Sequence, residues 1–353
     1  MTALNEKYDV SVYIGRFQIF HNGQLALLRR ALDAAPRCIV VLGSAFQART
    51  PRNPFTWQER AEMIRLALPA ADRARLHFLP VRDYYDQQRW VAAVRQGVTE
   101  LTSTQPGASV VLVGHLKDAT SEYLKDFPGW ALDAAGSQGQ INASALRDAY
   151  FGGANSSLDA VLGALVSQAP ASTLGFLHAW AALPPYRELA QEWESLRREK
   201  AKWASAPYPP VFVTVDAVVQ CQDRVLLIQR GRAPGKGLHA VPGGFIEQRE
   251  TVYQSALREL AEETGLSLPD QEIRQALRAA QVFDHPDRSQ RGRVITHAHF
   301  FDLGTRPLPE VQAADDAASA EWVPIAQLAG MEDQFHDDHF HILDHFFALT
   351  AGT

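Results

Sequence analysis

Apolar positions change period several times along the chain, and each change marks an element. Val10, Val12 and Ile14 alternate towards a strand, and a Leu-rich stretch with helical spacing follows over 24–35. Residues 38–42 are continuously apolar, as in a buried strand. A helix is predicted over 56–68, with Thr56 and Glu59 at capping-box spacing, and further strands at 76–81 and 110–113. This β-α-β-α order predicts a doubly wound parallel sheet. Helical segments fill 144–203 and end in the charged run EWESLRREKAKW; SAPYPP (205–210) then breaks the pattern. Beyond it, VFVTVDAVVQ and RVLLIQR read as a β-hairpin, 251–263 as a helix, 294–303 as a strand, and the His-rich C-terminal stretch as a last helix. The fold class is therefore α/β: a doubly wound domain over 1–185, a helical and Pro-rich linker over 186–206, and an α+β domain over 207–353.

Composition narrows the class. At 353 residues the chain accommodates two domains of ~100–200 residues each. Its net charge of −6 argues against a nucleic-acid or anionic-membrane binder. MTALNEKYDV lacks a signal-peptide core, and no apolar run approaches the ~18 residues of a membrane span. Cys38 and Cys221 sit in strand-like apolar runs and read as buried thiols of a reducing cytoplasm.

The chemistry concentrates in GFIEQRETVYQSALRELAEETGL (244–266). Its helix places Tyr253, Ala256, Leu257 and Leu260 on an apolar stripe. Glu259, Glu262 and Glu263 stand at i, i+3 and i+4 and share another face. A charge run is ordinarily a solvated face. Here a Pro242-Gly243-Gly244 loop precedes the helix and Gly265 follows it with a left-handed cap preference. Crowded carboxylates on a rigid helix beside a glycine loop suit a hard cation, Mg²⁺ or Mn²⁺, with Gly243 contributing from the loop. Arg258 and Glu250 are expected to orient the glutamates. The spacing of Gly244, Glu250, Arg258-Glu259-Leu260, Glu262-Glu263 and Gly265-Leu266 resembles a complete Nudix box, which implies metal-assisted hydrolysis of a substituted diphosphate. The general base stays open, with Asp315 and Asp316 as candidates.

The segment YIGRFQIFHNGQL (13–25) joins the first strand to the first helix. Gly15 permits a tight turn, Arg16 can meet a triphosphate, and His21 and Gln24 open the helix, where backbone N–H groups favour anions. These residues, with RNPFTWQERAEMI (52–64), VRDYYDQQRW (81–90), VGHLKD (113–118) and INASALR (141–147), resemble the HxGH nucleotidyltransferases, specifically the nicotinamide mononucleotide (NMN) adenylyltransferases. The resemblance implies catalytic roles for Arg16 and His21. It implies nucleotide contacts from Gly15, Phe17, Gln24, Gly114, Ser144 and Arg147, a carboxamide contact from Asp83, and stacking by Trp90. Gln24 stands where the second His is usual, Ile19 where a Pro is, and Asn142 where a Ser is.

Both halves together resemble the bifunctional NMN adenylyltransferase/Nudix hydrolases. The resemblance implies ADP-ribose as the Nudix substrate, ATP, NMN and NAD as further ligands, and phosphate contacts from Arg288, Arg291 and Arg293. A solvated basic loop explains any one of these arginines equally well. His336, His339, His341 and His345 fit no standard zinc spacing and read as a helix-surface cluster. Two alternatives stay open: a degenerate, ligand-sensing N-terminal domain, which Gln24 favours, and a Nudix-like regulator. Assembly of several copies is open as well.

Overall fold

The computed structural model describes residues 7–102, 107–115, 123–135, 141–153 and 157–351. The chain divides into two units, Met1–Gln191 and Glu192–Thr353. The 116–118 part of VGHLKD lies outside the described residues.

In the first unit, β1 (Val10–Gly15), β2 (Arg37–Leu42), β3 (Leu76–Pro80), β4 (Val110–His115) and β5 (Ala131–Ala135) form one parallel sheet ordered β3-β2-β1-β4-β5. The order reverses between β1 and β4, so the carboxyl ends of these two strands border the crevice where such sheets bind ligands. Helices α1 (Asn22–Ala34), α2 (Trp57–Leu66), α3 (Ala70–Arg73) and α4 (Gln87–Leu101) are interleaved with the first four strands, and α5 (Ala143–Gly152), α6 (Leu158–Gly163) and α7 (Ala171–Trp180) follow β5; α8 (Pro184–Ala201) has residues in both units. Thr56 closes the predicted capping box with Glu59. The periodicity gave no signal for β5, whose ALDAA is only partly buried on an edge of the sheet. One apolar cluster joins Val10, Val12, Ile39, Val41 and Leu112 of the sheet to Val91, Val94 and Val98 of α4.

In the second unit, β6 (Val211–Cys221), β7 (Arg224–Arg230), β10 (Leu277–Phe283), β11 (Arg293–Asp302) and β12 (Ala317–Pro324) run in the order β10-β11-β6-β7-β12. Short strands β8 (His239–Ala240) and β9 (Gly243–Phe245) pair with β7 and β6. The expected hairpin forms, but β6 and β7 pair only at Gln220↔Val225 and Cys221↔Arg224. Further back, β6 pairs instead with β9 through Thr214, Val215 and Asp216. That exchange brings the glycine loop against the middle of the sheet. Helix α9 (Val252–Thr264) is capped by Thr251 and ends at left-handed Gly265, φ 65°. After it come α10 (Asp270–Ala276), α11 (Ile325–Leu328) and α12 (His339–Phe347). Strand β6 alternates between two cores. Ala217, Val219 and Cys221 pack with Leu260 of α9, while Val218 packs with Phe340 and Leu343 of α12. Cys38 and Cys221 are buried free thiols. No helix among the described residues is long and apolar enough to cross a membrane.

Candidate active sites

In the second unit the apolar stripe of α9 fixes the rotation of the helix. Ala256 and Leu260 are buried in the core, and Tyr253 and Leu257 pack beside them. The glutamates then fall on the flank that meets β9. Gly243 N–H donates to Glu263 Oε2 at 2.9 Å. Gly244 leaves room for a carboxylate: a Cβ there would lie 2.4 Å from Glu259 Oε1. Gly243 is equally constrained, since its Cβ would lie 2.3 Å from Val215 O. Loop and helix thus meet at a spacing only glycines permit.

Arg258 organises the cluster. Its Nε donates to Glu250 Oε2 at 3.0 Å, its Nη1 to Glu259 Oε1 at 2.8 Å and Glu262 Oε2 at 2.9 Å, and its Nη2 to the Phe245 carbonyl at 3.1 Å. Glu250 is held from the other side by Ser255 Oγ at 2.7 Å. Arg258 and Glu250 thus lie in one hydrogen-bonded group with Glu259 and Glu262. Burial pushes Glu263 up to about 8, with Glu259 and Asp216 adding to the effect against Gly243 N–H and Arg230. Burial also raises Glu259, opposed by Arg258 and reinforced by Glu262 and Asp315. Burial thus disfavours the charged form of both carboxylates, and a bound cation would restore it. No three His, Cys, Asp or Glu side chains among the described residues close a ready-made cage.

Around this cluster the predicted arginines separate. Arg288 departs from its expected phosphate role: it is buried, donating to Asp338 Oδ2 at 2.8 Å and Oδ1 at 2.7 Å. Arg293 bonds the Asp284 carbonyl, whereas Arg291 lies over the Phe245 ring at 5.8 Å. The histidines correct a second expectation. His336 is buried, and His339 Nδ1 accepts from Val241 N–H at 3.2 Å, so both belong to the interior; His345 alone is exposed. Asp216, which the sequence reading passed over, is buried with Thr296 Oγ1 at 2.6 Å. Arg230 was passed over as well. It closes β7, and its charge acts on Glu263. A lone arginine ending an apolar strand was its only signal. Of the two candidate bases, Asp316 is paired to Arg232 at 2.6 Å, while Asp315 acts on Glu259.

In the first unit, Gly15 ends β1 beneath the ring of Phe17, where a Cβ would meet the ring at 2.8 Å. Phe17 has φ 51° and is buried, its ring packed against Tyr13 and Phe20, which gives it a packing role. His21 caps α1: its Nδ1 accepts from Gln24 N–H at 3.3 Å, and Gln24 Oε1 accepts from His21 N–H at 3.3 Å. Burial lowers His21 to about 4, leaving a neutral imidazole. Arg147 donates to the Gln18 carbonyl and to Ser144 Oγ, the latter at 3.0 Å. Burial lowers Arg147 to about 10, and the charges of Arg16 and Arg52 add to this. Arg16 and Arg52 thus lie close enough to Arg147 for their charges to act on it. Arg52 was legible only as part of RNPFT. Asp83 accepts from Ser44 N–H (3.1 Å), Ser44 Oγ (2.6 Å) and Gln47 Nε2 (3.1 Å). Trp90 is partly buried, edge-on to Tyr123 at 5.3 Å. Gly114 serves packing, since a Cβ there would strike Leu124 at 2.6 Å.

Comparison with known proteins finds a family match in each unit. The cytidylyltransferase-like family model matches residues 12–122 and the NUDIX domain model matches 210–346. A nicotinamide/nicotinic acid mononucleotide adenylyltransferase of Acinetobacter baylyi is 35% identical over 190 residues, 54% of this chain and 95% of that protein. An ADP-ribose pyrophosphatase of Methanocaldococcus jannaschii is 36% identical over 132 residues, 37% of this chain and 72% of that protein. A bifunctional NMN adenylyltransferase/ADP-ribose pyrophosphatase of Francisella tularensis, solved with AMP and a manganese ion, aligns with TM-score 0.87 at 34% identity, covering 97% of this chain and 99% of that one. Two motif sets, each seated on the fold that its chemistry needs and both matched end to end by one solved protein, place this chain in the bifunctional NMN adenylyltransferase/ADP-ribose pyrophosphatase family.

Proposed function

We propose that the C-terminal unit hydrolyses ADP-ribose to AMP and ribose 5-phosphate, and that the N-terminal unit joins NMN and ATP into NAD and diphosphate. The observation that carries the first activity is the Arg258-bridged pair Glu259 and Glu262 beside Glu263, itself fixed to the Gly243 amide. Glu259, Glu262 and Glu263 would hold Mg²⁺ or Mn²⁺, which supplies Lewis-acid polarisation of the phosphate oxygens and a lowered water pKa. Arg258 keeps two of these carboxylates in place before substrate arrives. A water oxygen adds to one phosphorus, the bridging P–O bond breaks, and the leaving phosphate departs with the bridging oxygen. Asp315, whose charge acts on Glu259, would take the water's proton, whereas Asp316 is paired with Arg232.

For adenylyl transfer, the NMN phosphate oxygen attacks the α-phosphorus of ATP and diphosphate leaves. Arg16, Arg52 and Arg147 meet the growing charge on the phosphates, and His21 donates from Nε2, since its Nδ1 is an acceptor. Asp83 receives the carboxamide and Trp90 lies beside the nicotinamide. Two buried thiols suit a reducing cytoplasm.

A second reading, a ligand-sensing N-terminal unit, is favoured by Gln24, whose carbonyl is turned back onto the His21 amide. Product analysis of the purified chain with Mg²⁺ separates the cases. NAD from NMN plus ATP, and AMP from ADP-ribose, are expected; ligand binding without NAD formation leaves only the sensor.

A further inference from the structure

Arg60 is completely buried on α2, yet its hydrogen-bond partners are carbonyls from three separate segments. Its Nη1 donates to Arg16 O at 2.6 Å and Gly43 O at 2.7 Å, its Nη2 to Ser44 O at 3.2 Å, and its Nε to Thr56 O at 3.3 Å. Arg16 follows β1, and Gly43 and Ser44 follow β2. The two strands lie side by side in parallel, Gly15 opposite Leu42. Gly43 N–H also donates to Gly15 O at 3.1 Å. Ser44 in turn holds both oxygens of Asp83 through its N–H and Oγ. One guanidinium therefore ties together the loops after β1 and β2, and through Ser44 the Asp83 loop after β3. These are the loops that carry Arg16 and Asp83.

The charge is unusual as well. Burial lowers Arg60 only to about 10, so it stays cationic at neutral pH. Its hydrogen bonds go to neutral carbonyls, and the charges of Asp83 and Glu59 favour it only from further away. A buried cation held in this way costs stability unless something else uses it. A planar fork that spans several carbonyls at once is a task lysine's single point charge cannot perform.

We propose that Arg60 is a positioning residue of the adenylyltransferase site, setting the spacing between Arg16, which meets the ATP phosphates, and the Ser44–Asp83 pair, which meets the second nucleotide. The inference rests on the adenylyl-transfer reading above. Two substrates must meet for in-line transfer, and a misplacement of about 1 Å can cost ~10²-fold in rate.

The test uses the full chain with Arg60→Lys and Arg60→Gln. NAD formation is assayed with saturating NMN and ATP, and ADP-ribose hydrolysis by the other unit is measured in the same preparation. Wild-type NAD formation is the control for the underlying reading: if it is absent, that reading fails and Arg60 is not at issue. With an active wild type, Arg60→Lys is expected to fold, to hydrolyse ADP-ribose within twofold of wild type, and to lose ~10–10²-fold in transfer kcat. Combining it with Ser44→Ala is expected to cost less than the product of the two single losses, because both act on one frame. The proposal is overturned if Arg60→Lys and Arg60→Gln keep wild-type kcat. It is overturned too if the loss matches the unfolded fraction in a thermal melt, or if neither variant folds, any of which leaves Arg60 with a folding role alone.

Discussion

Gln24 Oε1 accepts the backbone N–H of His21 at 3.3 Å while His21 Nδ1 accepts that of Gln24 at the same distance, so each residue caps the other. The substituted position of the HxGH pattern is thereby a structural partner of the retained one. An Nδ1 that accepts cannot also carry a proton, and burial keeps His21 at about 4. The folded-state value lies below the ordinary 6.5, so this contribution to stability is complete above pH 6.5 and is lost as pH falls towards 4. The N-terminal unit should therefore soften between these values, and His21→Asn should flatten that slope in pH-dependent thermal melts. An equal slope in the variant would assign the acid sensitivity elsewhere. Gln24→Ala should cost ~0.5–2 kcal/mol through the lost cap.

Arg258→Lys should separate metal affinity from fold. A lysine cannot reach Glu250, Glu259, Glu262 and the Phe245 carbonyl together, as the guanidinium does. The Mg²⁺ concentration for half-maximal ADP-ribose hydrolysis should rise ~10–100-fold. NAD formation should not change. An unaltered Mg²⁺ titration would remove Arg258 from its orienting role.

Arg288→Met should destabilise the second unit by ~3–5 kcal/mol, because it leaves Asp338 buried without its bidentate partner. Burial already pushes Asp338 up to about 7 against the pull of Arg288. Hydrolysis by the folded fraction should keep its KM for ADP-ribose. A raised KM with unchanged stability would restore Arg288 as a phosphate contact.

Gly244→Ala should damage hydrolysis by pure sterics, since the added carbon would lie 2.4 Å from Glu259 Oε1. Displacing that carboxylate should lower kcat by ~10²-fold. Chelation of divalent metal should abolish hydrolysis in the wild type, and added Mg²⁺ should restore it. Activity of Gly244→Ala near the wild-type level would show that Glu259 can move without cost.

Much of this was written in local periodicity. Strands β1, β2, β4 and β11, the capped helices α2 and α9, and the left-handed Gly265 follow from side-chain period and cap chemistry. Those signals act over a few residues and need no partner. β5 escaped because five small or half-exposed residues on an edge carry no period to detect. The β6–β7 hairpin was legible but its short pairing was not, because β9, a three-residue strand, also pairs with β6.

By itself the sequence determined the two chemistries: a carboxylate helix behind a glycine loop, and a phosphate turn between a strand and a helix. The tertiary structure decided which like residues serve them. Arg288 and Arg291 are three positions apart in one basic loop, yet one is buried against Asp338 and the other lies over Phe245. His336 sits in the interior and His345 in solvent. Asp338, Glu263 and Asp83 are distant in sequence from Arg288, Gly243 and Ser44, the groups that fix them. A charge's role depends on which oppositely polar group it meets and how much water stays near it, and both are set by contacts between residues far apart along the chain.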